Sequence, residues 1–151
     1  MNFHLLFFMG RAVLASVFFL AAIHKIMDPE SFAVLVFRYH LLPDAWINLI
    51  AITLPWVEFV VAWTLLVGSR YRTAAIWSSL ILLSVFSVAM GFNLLRGMEI
   101  ACGCFTTSPA SDPAGYRTIL RNVAGMVLAA TLLLEGRDKP LRLFRSGTTI
   151  I

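Results

Sequence analysis

Charge is what this sequence has least of. Only 13% of its 151 residues are Asp, Glu, Lys or Arg, about half the share of an ordinary soluble domain, while 60% are hydrophobic. A soluble chain of this size has too much surface for its volume to hide so much apolar matter. The surplus must face lipid, and a soluble globular domain is excluded. Cysteine is almost absent, with two residues in the chain, too few for the disulfide framework of a small secreted scaffold. Histidine is scarce too. His4, His24 and His40 offer no two imidazoles on separate helices at matching depth, so haem ligation is not expected. No nucleotide or flavin motif is present, and no cofactor is evident. The basic balance, net +4 with a pI near 9.6, does not indicate nucleic acid. The Lys and Arg residues are scattered along the edges of apolar runs and form no patch with interleaved aromatics. On membrane loops such a balance is an orientation signal.

Four apolar runs are present, at residues 5–26, 47–67, 74–95 and 118–134. The first three have about the 20 residues a helix needs to cross the hydrocarbon core. The fourth is shorter and starts beside Arg121 and Asn122. Met1–His4 carries no Lys or Arg, the first run is longer than a signal-peptide core, and no small-residue cleavage site follows it. It is therefore read as a retained helix. The expectation is an all-α, polytopic membrane protein over residues 1–151, a single four-helix transmembrane bundle without internal repeats.

An even number of spans puts both termini and the 69–73 turn on one side. That side carries Arg70, Arg72, Arg137, Lys139, Arg142 and Arg145, against Lys25, Arg38, Arg96, Arg117 and Arg121 opposite. The bias predicts both termini in the cytoplasm and both longer loops outside. The first loop has structure of its own. Asp28 before Pro29 reads as an N-cap followed by proline at the first helical position. Phe32, Leu35, Val36 and Tyr39 then recur at helical spacing. A short interfacial helix is expected between the first two spans.

The second loop holds Cys102-Gly103-Cys104-Phe105. Gly103 lacks the Cβ that penalises positive φ, so it permits the tight turn that brings i, i+2 cysteines into disulfide range. Such a small ring is strained and easily reduced, which suits a redox-active pair better than a staple. It would also close too short a loop to stabilise much. Two other readings stay open. The thiols could join His24, His40 and Met98 around Cu(I), or be two ordinary small apolar residues. Zinc is disfavoured by the Cys-x-Cys spacing.

Ionisable residues inside the spans complete the candidates. Glu58 falls near the middle of the second run and Arg11 a third of the way along the first. Counted from the run ends, their depths nearly match, so a Glu58–Arg11 ion pair is expected, with either a structural or a proton-handling role. Pro55 is expected to kink the helix beside Glu58 and open a pocket there. His24, Lys25 and Arg121 lie on the cysteine side, where a cation lowers a thiol pKa. Interfacial anchoring is the competing role for all three.

These residues carry a resemblance. Arg11, the run from His24-Lys25 through Asp28-Pro29 to Phe32, Leu54-Pro55-Trp56-Val57-Glu58, Cys102-Gly103-Cys104-Phe105 and Leu120-Arg121-Asn122 together resemble the MauE-type methylamine-utilisation proteins, within the broader DoxX-like four-helix membrane proteins. The order and spacing carry the likeness across almost the whole chain. One departure is Thr106, where the family usually has Gly. The resemblance implies a multi-pass protein of the bacterial inner membrane that serves periplasmic maturation of a disulfide-rich protein, such as the methylamine dehydrogenase light chain. It implies Cys102 and Cys104 as the redox pair, exchanging with a periplasmic thioredoxin-like partner or with a secreted disulfide-containing client. By functional analogy with membrane thiol oxidases, a quinone is the available electron carrier. The alternative is a non-enzymatic scaffold or accessory subunit of an oxidoreductase complex.

Overall fold

The computed structural model describes residues 3–67, 71–97 and 116–145, with side chains over 5–67, 71–97 and 118–134. All regular structure in these residues is helical. The chain forms α1 (Phe3–Met27), α2 (Pro29–Arg38), α3 (Asp44–Val67), α4 (Arg72–Leu95) and α5 (Tyr116–Arg145). Three helices, α1, α3 and α4, are long and apolar enough to cross a membrane. The apolar stretch of α5, Thr118–Leu134, is shorter, at the lower limit for spanning. Its helix nevertheless continues to Arg145, through a basic tail that the hydropathy pattern had left outside the fourth run.

The helices alternate in direction. Leu83 of α4 meets Gly125 of α5, and further along α4 Phe86 shares a crevice with Asn122, earlier in α5, so these two helices run antiparallel. Gly10 of α1 lies against Leu128 and Leu132 of α5, while Phe19 of α1 stacks on Phe59 of α3 at 5.4 Å between ring centroids. The main packing is of α1 on α3 and α4 on α5, with α2 laid against α3. A core of Leu14, Ala15, Phe18, Val61, Ala62 and Leu65 is closed from the other side by Ala75, Ile76, Leu83, Ala129 and Leu132. In the most apolar stretches of α1, α3 and α4 only 28%, 33% and 28% is buried. Trp46, Trp56, Trp63 and Trp77 are all more than half exposed. Such helices, apolar all round yet mostly uncovered, are stable only in a lipid solvent.

Lipid leaves no backbone or hydroxyl group a water partner, so polar groups close on their own helix. Ser79 and Thr64 donate to the carbonyls of Ala75 and Val60, four residues back, and Asn93 Nδ2 donates to Ala89 O at 3.1 Å. Asp28 caps α2 as its position before Pro29 predicts, accepting from Ser31 N at 3.1 Å. Phe32 and Leu35 of α2 are buried, while Glu30 and Arg38 are exposed. Pro55 does not break α3, which runs unbroken from Asp44 to Val67 with Pro55 on its buried face.

Candidate functional site

One buried ion pair organises the bundle. Lys25 Nζ donates to Glu58 Oε1 at 2.5 Å, and each side chain is 1% exposed. The ammonium is flanked by two aromatic faces, Phe32 at 5.0 Å and Phe86 at 4.8 Å from the ring centroids. A ring quadrupole stabilises a desolvated cation at such distances. Lys25 comes from α1, Phe32 from α2, Glu58 from α3 and Phe86 from α4.

Beside the pair runs a crevice with apolar walls from Phe18, Leu83 and Phe86 and polar groups from Glu58 and Asn122, with the exposed Arg121 on its rim. Asn122 is 4% exposed and comes from α5. All five helices therefore contribute a side chain to one region. Glu58 Oε2 and Asn122 Nδ2 are both buried and have no hydrogen-bond partner among the described residues.

The partner of Glu58 differs from the sequence expectation, which had paired it with Arg11. The stacking of Phe19 on Phe59 places Glu58 level with α1 residues near 19 and 20. Arg11 is then about 12 Å away along the axis and Lys25 about 9 Å away in the opposite direction, at 1.5 Å per residue. Side-chain direction decides between them. Helical side chains lean toward their own N-terminus. In antiparallel α1 and α3, Lys25 and Glu58 lean toward each other, whereas Arg11 and Glu58 lean apart. Arg11 instead sits over the Phe8 ring at 5.8 Å. Depth counted from the run ends contains no such direction, hence the wrong partner.

The remaining sequence candidates divide. His24 is exposed on α1 although its neighbour Lys25 is buried, so adjacency in sequence separates them in space. Arg121 reaches the crevice and Asn122 forms its wall. Pro55 is not in that wall, so the pocket beside Glu58 owes its shape to the facing helices. Cys102 and Cys104 lie outside the described residues, and so does Met98. Among the described residues no cluster of three His, Cys, Asp or Glu could hold a metal. Sequence reasoning missed Phe86, one of 12 phenylalanines. Its signal was weak: Leu83, Phe86, Met90 and Asn93 follow the helical spacing of one face of α4.

The fold and this site define a helical membrane protein built around a buried charged centre. A sequence model described as Methylamine utilisation protein MauE matches residues 3–135, and the chain belongs to that family. It is 36% identical over 123 residues to Methylamine utilization protein MauE of Paracoccus denitrificans, covering 81% of this chain and 65% of the relative. It is 34% identical over 127 residues to the protein of that name from Paracoccus versutus, covering 82% and 67%. The Methylophilus methylotrophus protein is 36% identical over 106 residues, 69% of this chain and 55% of that one. The chain thus spans about two thirds or less of these relatives' length. No solved structure matches it.

Proposed function

We propose that this chain is a membrane thiol–disulfide redox protein that serves the maturation of a disulfide-containing protein outside the cytoplasm, within methylamine utilisation as its relatives' names suggest. The observation that carries this reading is the Cys102-Gly103-Cys104 sequence, which holds the chain's two cysteines in the segment joining α4 to α5. Thiolate attack of one cysteine on a partner's disulfide, or of a partner's thiolate on the Cys102–Cys104 bond, passes through a mixed disulfide. Forming the internal disulfide releases two electrons and two protons. A quinone, reduced to quinol by the same two electrons and two protons, is the carrier we assign for the oxidising direction. A thioredoxin-like protein or the client itself is the exchange partner.

The topology belongs to the same proposal: four spans, α2 on the membrane surface, both termini in the cytoplasm, and the cysteine segment on the outer face of a bacterial inner membrane. The Lys25–Glu58 pair supports this orientation. Lys25 is neutralised within the bundle and drops out of the loop-charge balance. Six basic residues on the termini side then face four, Arg38, Arg96, Arg117 and Arg121, and cytoplasmic loops carry the excess.

The test is the redox state of the cysteines in intact membranes, trapped by acid and read with a thiol-specific mass tag. A pair that cycles with a membrane-impermeant reductant, and forms a mixed disulfide with a partner, supports the proposal. Thiols that stay reduced and inaccessible throughout refute it. A second reading, a non-enzymatic accessory subunit, is favoured by the buried centre itself, which ties all five helices together without cysteine. In that case Cys102→Ser/Cys104→Ser retains full client maturation.

A further inference from the structure

We propose that Glu58 and Asn122 form a binding site for one small protic molecule, water in the resting protein, that bridges the carboxylate to the amide. The inference is independent of the cysteines. Glu58 uses Oε1 for Lys25, and its Oε2, buried, has no partner among the described residues. Asn122 Nδ2 is in the same condition. Both residues line one crevice whose cavity measures about 20 Å³. A single water needs about 10–15 Å³ on the same measure, so the space admits one water and not a cluster.

The chemistry selects the ligand class. A carboxylate oxygen only accepts and an amide nitrogen only donates. The ligand must therefore donate one hydrogen bond to Glu58 Oε2 and accept another from Asn122 Nδ2. Water does both, and a hydroxyl group does both. A purely apolar occupant does neither, and it would leave two buried polar atoms unsatisfied. A second cation is disfavoured because Lys25 already sits on this carboxylate and Arg121 stands at the rim. Asn122 is six residues into α5, about 9 Å from its start at 1.5 Å per residue. The bridging molecule gives the buried pair a protic neighbour on the side facing Arg121, and with it a route for proton exchange that the apolar walls deny elsewhere.

Hydroxyl-radical footprinting of the full chain in lipid nanodiscs, read by mass spectrometry, tests this. Radicals generated from a bound water modify the side chains beside it even when bulk water is excluded. Leu83 lines the crevice at 5% exposed, while Leu14 and Leu65, at 2% and 1%, lie in the core outside it. Leu83 is expected to be modified several-fold more than Leu14 and Leu65. Asn122→Leu removes the donor, and Ala21→Val fills the crevice wall while leaving both polar groups. Either change should bring Leu83 down to the level of Leu14, with helical circular dichroism unchanged. Equal, background modification of all three leucines in the wild type overturns the site, whether or not either variant folds. A Leu83 signal that persists in both folded variants overturns it as well. The Cys102→Ser/Cys104→Ser variant should keep the wild-type footprint, which separates failure of this site from failure of the redox reading.

Discussion

Removing either member of the Lys25–Glu58 pair strands the other as an uncompensated charge among apolar side chains. Glu58→Gln and Lys25→Met are each expected to lower stability by about 3–5 kcal/mol, whereas Lys25→Met/Glu58→Leu should lose far less, because breaking a buried pair costs more than replacing it. Thermal unfolding in nanodiscs, followed by circular dichroism, measures all three. A double variant as unstable as the singles would show that the pair is net stabilising beyond charge compensation. Tyr39, at the C-terminal end of α2, gives a second residue-scale expectation. Burial pushes its phenol up from 10.0 to about 12. An acid whose folded pKa is raised stabilises the fold below its unfolded value and loses that contribution as pH climbs through the folded one. The window is therefore from pH 10 to about 12. An absorbance titration at alkaline pH should lose its step at about pH 12 in Tyr39→Phe, and the variant's stability should fall less steeply across that window.

At the scale of the helices, two local devices carry measurable weight. The Asp28 carboxylate satisfies an otherwise orphaned amide at the start of α2, and Asp28→Ala should cost about 0.5–2 kcal/mol of local stability. Hydrogen exchange over Pro29–Arg38 should accelerate while α1 and α3 are unaffected. The second device is close approach between helices. A Cβ on Gly125 would stand 3.1 Å from Leu83 Cδ1, and one on Gly10 would stand 3.2 Å from Leu128 Cδ1. Small residues at such crossings let helices in lipid gain contact without a hydrophobic driving force. Gly125→Leu should overpack the α4–α5 seam and lower stability by about 1–3 kcal/mol, read by the same thermal melt. Because Leu83 is also in the crevice wall, that variant should disturb the Glu58–Asn122 region before it unfolds the bundle.

For the whole molecule, the expectation is an orientation. Reporters fused after Arg145 should be active only in the cytoplasmic form, and a reporter placed in the 98–115 segment only in the exported form. The reverse pattern would put the cysteines in the reducing compartment and remove the basis of the redox proposal. Much of the architecture was legible beforehand. Runs at 5–26, 47–67 and 74–95 became α1, α3 and α4 with shifts of two or three residues at most, because a spanning helix is recognised by length and hydropathy without any knowledge of its neighbours. The Asp28-Pro29 start of α2 was legible for a different reason, since capping is a contact between residues close in sequence. The extension of α5 to Arg145 was not, because a polar helical tail carries no hydropathy signal.

Composition and local pattern by themselves determined that this chain is helical, that it needs lipid, and that Glu58 lies inside a span. They could not say which of two cations would meet Glu58. That choice depended on the direction side chains lean in antiparallel helices, a property of the assembled bundle. The same holds for Phe86, which is unremarkable on its own helix, and for the place of Asn122 beside Glu58. They become part of a site only because α4 and α5 carry them to within reach of a carboxylate supplied by α3.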